Sequence, residues 1–396
     1  MKICFVCNEY PPGPHGGIGT FVQILARALV QAGHEVRAVG MVPNQSVAEE
    51  SCDEGVRVVR FPFPRYRLGW ITARYQLYAT IAHWCRSGEV EIVEVPDYEG
   101  WAAGWTRLTA PVVARLHGSS TYFAAEMKQP IRSTARWLEK RSLKRADFWC
   151  SVSRYTAEKT KSLFHLRTGP DAILYNPIEI ASPASSVPRS KTAVIFTGTL
   201  AEKKGVVPLV RCWSQVLQAC PSAKLHIYGK DGRTSAGGSM RQHLEALLNE
   251  QEQASVLFHG HQPRAIIMQA LREARLAVFP SYAEAFAIAP LEAMACECPT
   301  IYSERGSGPE LIHHGEDGLL IDPDQPAKIA AAIVQLITDD ALAVRLGTAG
   351  YELVSNHFSL GTIVAENEAF YRRCIDLFQT HPQKATTTQP TPAIRA

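Results

Sequence analysis

Short apolar runs alternate along this chain with stretches in which apolar residues recur every third and fourth position. The run at 3–7 reads as a strand. In the segment 20–31, Phe21, Leu25, Ala28, Leu29 and Ala32 share one helical face, and Gly33 supplies a C-terminal stop. The same pattern predicts strands at 36–42, 92–95, 112–116, 148–153 and 172–175. After a Pro- and Ser-rich stretch without periodicity at 178–191, which reads as a linker, the scheme repeats. Strands are expected at 193–197, 224–228, 256–258, 276–280, 300–303 and 319–321, with helices such as 206–217 and 240–249 between them. Strands alternating with helices define an α/β chain with parallel sheets covered on both faces.

The organisation expected is a first Rossmann-like domain over 1–177, the linker 178–191, and a second such domain over 192–358. Helices continue to 378, and the Thr-, Pro- and Gln-rich tail 379–396 reads as disordered. In open α/β sheets ligands bind beyond the carboxyl ends of strands. Gly198, Gly229, Gly260 and Ser281 all follow predicted strand ends, so their loops share one edge and point to a single site.

Composition narrows the chemistry. The 396 residues are 46% hydrophobic, ample for two cores, and the formal charge of +3 is too small to imply a nucleic-acid partner. Ten cysteines without regular spacing fit a reducing cytoplasm better than a disulfide framework. Cys4 and Cys7 form a CxxC inside a predicted strand, where residues three apart point to opposite faces, so neither a metal pair nor a redox pair is favoured. No secretory signal precedes the first strand, and no run approaches the ~20 apolar residues of a membrane span. Two basic, aromatic segments, 65–86 and 132–145, suit a solvated helix face as well as contact with anionic lipid or an acceptor.

The most informative stretch is 280–300, PSYAEAFAIAPLEAMACECPT. Glu284 falls in a loop after an apolar strand. Pro290 suits a first helical turn, which places Glu292 where free backbone N–H groups and the positive end of the helix dipole collect. Such a helix start is a ready diphosphate site, and carboxylates beside it can accept hydrogen bonds from sugar hydroxyls. Lys204 stands beside Gly205 at another helix start after a strand-end glycine; a solvated surface lysine is the bland alternative. Lys203, its neighbour, has no fixed demand on its direction. Asp322-Pro-Asp324 reads as a helix-capping turn rather than a metal-binding D-x-D. His259 and His261 are too few for a metal site. The glycines at 16, 17 and 19 let a ligand approach the backbone, but their spacing is not that of a dinucleotide fingerprint.

Two glutamates separated by seven residues, with Phe286 after the first and LEAM around the second, resemble the retaining glycosyltransferases of family four. The opening MKICFVCNEYPPGPHGGIGTFV, LHG at 116–118, TGTLAEKKGV at 197–206, LHIYGKDG at 225–232, LFHG at 257–260 and GSGPELIHHGEDGLLIDPDQP at 306–326 extend the resemblance over nearly the whole chain. It implies a GT-B architecture, two Rossmann-like domains facing across a cleft, with the last helix, 359–378, crossing back to the first domain. It also implies transfer from a nucleoside-diphosphate sugar to a hydroxyl acceptor, without a metal or other cofactor. The residues it singles out are Glu284 as the donor-sugar acid, Glu292 on the ribose hydroxyls and Lys204 on the diphosphate. His117 would contact the donor sugar from the other domain. Gly17 and the backbone N–H groups of Phe286, Ala287 and Ile288 would line the site, the Phe286 ring being core. Many members carry Arg where this chain has Thr199; here Thr199 offers only a hydroxyl, and Lys203 or a distant arginine would have to compensate. UDP is the default donor base. The alternatives are a GT-B sugar-nucleotide epimerase and a nucleotide-sugar-binding protein without turnover.

Overall fold

The computed structural model describes residues 1–13, 16–43, 45–180 and 188–380. The chain divides into two compact units, Met1–Pro177 with the segment from Leu360 onward, and Ile178–Ser359. Residues 181–187 of the expected linker and 381–396 of the expected tail lie outside the described residues.

The first unit is built on eight strands: β1 (Lys2–Val6), β2 (Glu35–Val42), β3 (Glu49–Asp53), β4 (Val56–Pro62), β5 (Ile92–Pro96), β6 (Val112–Leu116), β7 (Phe148–Ser151) and β8 (Ala172–Ile173). They lie in the order β3-β4-β2-β1-β5-β6-β7-β8, all parallel except β3, which runs antiparallel to β4. Alternation along β1 feeds two cores. Cys4 and Val6 pack with Leu77, Ile81 and Trp84 on one face. Ile3, Phe5 and Cys7 pack with Leu25, Leu29 and Tyr371 on the other. The two thiols of the CxxC therefore face apart, and all ten cysteines are free.

The β3–β4 hairpin had no counterpart in the expected strands. Glu49–Asp53 reads EESCD, a polar edge strand whose pairing comes from the backbone rather than from an apolar face. The helix expected from 20 begins instead at Gly17 and runs to Gln31, so two of the three loop glycines are helical. The last helix, Leu360–Thr380, belongs to the first unit and runs two residues into the segment read as tail.

That helix is tied to the sheet by a buried polar cluster. Arg115 on β6 is fully buried and pairs with Glu94 on β5 through two bonds, Nε to Oε1 at 2.8 Å and Nη2 to Oε2 at 2.9 Å. Arg115 also donates to Asn367 Oδ1 at 2.5 Å, and Tyr371 Oη donates to Glu94 Oε2 at 2.7 Å.

The second unit holds β9 (Ala193–Thr197), β10 (Lys224–Tyr228), β11 (Val256–Gly260), β12 (Leu276–Phe279), β13 (Thr300–Ser303) and β14 (Leu319–Ile321). The order is β11-β10-β9-β12-β13-β14, and every pairing is parallel. The helix expected over 206–217 is two, Val206–Arg211 and Trp213–Ala219, broken at Cys212. That expected over 240–249 stops at Glu245, and Asn249 caps the next helix, Glu250–Gln253, through a reciprocal box with Glu252.

Candidate functional site

Strand order in the second unit reverses between β9 and β12, so the loops leaving their carboxyl ends are neighbours. A doubly wound sheet opens its ligand crevice at such a switch point. The loop after β9 turns through Glu202–Lys204 and reaches Gly205 at φ +69°. A Cβ there would stand 1.6 Å from the Pro280 carbonyl oxygen, so only glycine lets this loop press against the end of β12. The Lys203 carbonyl then accepts the Tyr282 N–H at 2.7 Å, which fixes the two loops together.

This juxtaposition brings Lys204 and Glu284, 80 residues apart, into direct contact through Nζ and Oε1. Ser281 Oγ donates to the same carboxylate oxygen at 3.2 Å. Lys203 departs from the expectation that it lacks a fixed direction. Its ammonium is half-buried and pushed below the usual lysine range by that burial, with the Glu284 charge opposing the shift and the Lys204 charge adding to it. Lys204 thus contacts Glu284 directly, and Lys203 feels the charge of the same carboxylate. Thr199 stays exposed at the start of the same loop.

The expected place of Glu292 needs correcting. The helix runs Ile288–Met294 with Ala287 as its N-cap residue, so Pro290 is the third residue and Glu292 the fifth, beyond the first turn. Glu292 is positioned not by helix-end N–H groups but by Arg264, which donates to Oε1 through Nε at 3.0 Å and Nη2 at 2.8 Å. Burial pushes the Glu292 carboxyl up, and Arg264 opposes this. Arg264 also pairs with Glu179. Phe286 is buried with its ring 6.0 Å from that of Phe358, as expected of a core side chain.

In the first unit, β6 ends at Leu116 and presents His117 against Phe21, ring centroids 4.8 Å apart. The His117 N–H donates to Asp97 Oδ1 at 2.9 Å. Burial and then the Arg115 guanidinium hold the imidazole well below the usual histidine value, which favours the neutral ring. Burial pushes the Asp97 carboxyl up to about 7. Gly17 opens the helix Gly17–Gln31, and no atom lies within 4 Å of where its Cβ would stand, so protein packing does not demand this glycine.

Asp322 and Asp324 are not helix caps either. Asp322 Oδ1 accepts the Asp324 N–H at 3.1 Å, both carboxylates pair with Arg305, and Gln325 is the N-cap residue of the following helix. His259 stacks on Tyr228, centroids 4.3 Å apart, and meets His226 at 3.0 Å, whereas His261 lines a separate cavity of about 280 Å³ with Ile227, Arg241 and Phe258. Among the described residues no group of three or more His, Cys, Asp or Glu is placed to hold a metal. Arg264 and Asp97 escaped sequence reasoning because their partners are 28 and 20 residues away.

Two Rossmann-like units, the second with its crevice at a sheet switch point, are the parts of a GT-B fold. Residues 15–182 match the model for Glycosyltransferase Family 4, and residues 178–353 match Glycosyl transferases group 1. The chain belongs to the family-four glycosyltransferases. A glycogen synthase of Mycobacterium tuberculosis (strain ATCC 25618 / H37Rv) is 25% identical over 94% of both chains. A D-inositol 3-phosphate glycosyltransferase of Corynebacterium jeikeium (strain K411) is 30% identical over 46% of this chain and 43% of that protein. Among solved structures, a sucrose-phosphate synthase from Thermosynechococcus elongatus superposes with a TM-score of 0.77 at 23% identity, covering 96% of this chain and 99% of that one. HepE from Anabaena, in complex with UDP, superposes with a TM-score of 0.71 at 18% identity, covering 94% of this chain and 100% of that one.

Proposed function

We propose that the enzyme transfers a sugar, with retention, from a nucleoside-diphosphate donor to a hydroxyl acceptor, and needs no metal. The observation that carries this reading is the contact of Lys204 with Glu284 at the sheet switch point, where the half-buried Lys203 feels the same carboxylate charge. As the C1–O bond of the donor breaks, charge develops on the departing diphosphate. A fixed ammonium there stabilises that charge without proton transfer. Without donor, Glu284 holds Lys204 in place. With donor, Lys204 turns to the diphosphate and Glu284 accepts a sugar hydroxyl. The acceptor hydroxyl attacks on the face the diphosphate leaves, and a diphosphate oxygen takes its proton. UDP bound to the structurally similar HepE supports a nucleotide donor. Free cysteines throughout accord with action in a reducing cytoplasm.

Transfer is expected to persist in excess EDTA, read as nucleoside diphosphate released in the presence of acceptor. Complete loss, restored by manganese, would overturn the metal-free reading and return attention to Asp322 and Asp324. Thr199 favours a second reading, a nucleotide-sugar binder without turnover; acceptor-dependent diphosphate release excludes both it and an epimerase.

Glu292→Ala is expected to weaken donor binding roughly ten- to a hundredfold with the fold intact, because a hydrogen bond to a charged group contributes about 1.5–3 kcal/mol. Calorimetry with UDP, GDP and ADP checks this and assigns the base. Unchanged affinity would leave Glu292 as merely the partner of Arg264.

A further inference from the structure

The helix Arg264–Glu273 begins with a cation. A helix start carries the positive end of the dipole, so an arginine there goes against the local preference, and no acidic residue in the first turn offsets it. A residue that breaks a local rule in this way points to a role outside its own helix. The guanidinium serves two carboxylates of the second unit. Nε and Nη2 donate to Glu292 Oε1, and Nη1 pairs with Glu179 Oε2. We propose that Arg264 determines the sugar specificity of the nucleotide: by taking Oε1 of Glu292 it leaves Oε2 as a charged acceptor for the ribose, and so makes the site select ribonucleotides over 2′-deoxyribonucleotides. The proposal rests on the donor reading above, with Glu292 on the ribose, and names the residue that gives this contact its strength.

Geometry is the first argument. Both bonds from Arg264 to Glu292 end on one oxygen. Among the described residues no hydrogen bond ends on Oε2, and the half-buried side chain keeps 20% of its surface exposed, which leaves room for a ligand hydroxyl. Two N–H groups of one planar guanidinium fix a carboxylate in direction as well as in charge. Arg264 is fixed in turn by Glu179. That residue follows Ile178, which pairs with Ser359 and whose N–H donates to the Phe358 carbonyl at 2.8 Å. The second anchor therefore stands on a backbone bridge.

Charge is the second argument. Burial pushes the Glu292 carboxyl up; the Arg264 charge and its hydrogen bonds oppose this, and the Glu179 charge adds to it. The Cys296 thiol also faces the pair, with Arg272 and Arg189 around it. Burial pushes this thiol up to about 11, so it stays neutral near pH 7. A hydroxyl that donates to an ionised carboxylate makes a bond roughly twice as strong as one between neutral groups. Selection of the ribose hydroxyl therefore needs the ionised carboxylate, and Arg264 supplies the charge that favours it.

The test is calorimetry on the full chain, from about pH 5.5 to about pH 8.5, a range that spans the histidine region and the upper reach of raised carboxyls. The probes are whichever of UDP, GDP and ADP binds most tightly, and its 2′-deoxy counterpart. The parent is expected to bind the ribonucleotide about tenfold or more tightly. In Arg264→Gln that preference is expected to fall below about threefold at neutral pH and to return as the pH rises. The sign follows from the carboxyl: the preference is present above its pKa and lost as the pH falls through it, and without Arg264 that loss comes at a higher pH than in the parent. Arg264→Lys keeps the charge without the two-bond grip and is expected to hold the preference to lower pH than Arg264→Gln. Glu179→Gln leaves Arg264 wholly to Glu292 and is expected to keep it. Affinity for the 2′-deoxy nucleotide is expected to change little in all three variants, which a disordered site would not allow. Full preference in Arg264→Gln, or its loss there at every pH alike, overturns the proposal. So does an equal loss in Glu179→Gln, which would mean that Arg264 serves the backbone bridge instead. Glu292→Ala separates this failure from that of the donor reading. If it abolishes the preference while Arg264→Gln does not, Glu292 still holds the ribose and the role of Arg264 alone falls. If the preference survives Glu292→Ala, or none of the three nucleotides binds the parent, the donor assignment falls and the proposal with it.

Discussion

Lys204→Ala is expected to slow single-turnover transfer by ~10²–10³ at saturating donor, the usual consequence of removing one group that stabilises developing charge. The effect is expected at the upper end because Thr199, where the family resemblance implies an arginine, offers the diphosphate only a hydroxyl. Lys203→Ala is expected to be milder but not silent. The Lys203 ammonium is half-buried beside the same Glu284 carboxylate, so its removal shifts the field at the site by about one partly desolvated charge. Its main-chain bond to Tyr282 survives the substitution and keeps the loops in register. Thr199→Arg, added to Lys204→Ala, is expected to restore part of the rate. If Lys203→Ala proves the more damaging, the phosphate contact belongs to Lys203. If both variants keep near-normal rates, the loop after β9 does not hold the leaving group.

The amino-acid pattern exposed these lysines one at a time but not their shared partner. Buried parallel strands read as short, mostly apolar runs, which is why β6, β9, β10, β13 and β14 form over the residues the pattern predicts. The edge strand β3 was invisible for the opposite reason, whereas β4, VRVVRFP, carries an apolar signal that was missed. EESCD has no apolar period, and its place is set by backbone pairing to a strand that itself faces a core. Helix starts were misplaced where the signal is permissive. Pro290 fits anywhere in the first turn, and at the third position it moves Glu292 beyond the helix-end N–H groups. The contacts that define the site, Lys204 with Glu284 and Arg264 with Glu292, arise because β9 and β12 are adjacent and because the helices at 264 and 288 pack together. No local pattern encodes either adjacency.

The largest expected effect on stability lies away from the chemistry, at Glu94. Glu94→Gln keeps the shape of the side chain but leaves the Arg115 guanidinium fully buried without its counter-charge. Breaking a buried pair in this way costs about 3–5 kcal/mol, far more than the pair itself contributes when both partners are replaced. Tyr371 then loses its carboxylate acceptor, and with it one of the polar ties that hold the helix Leu360–Thr380 against β5. Six of the seven tryptophans lie in the first unit, so urea unfolding followed by their fluorescence reports that unit almost alone. The midpoint is expected to fall steeply in Glu94→Gln. The double variant Glu94→Met with Arg115→Met is expected to recover most of the loss, because it buries no unpaired charge. UDP binding, a property assigned to the second unit, should survive in both under native conditions. A single variant less than about 1 kcal/mol weaker than the parent would mean that water reaches Arg115 and that apolar packing of Ile363, Phe370 and Tyr371 fixes the helix by itself.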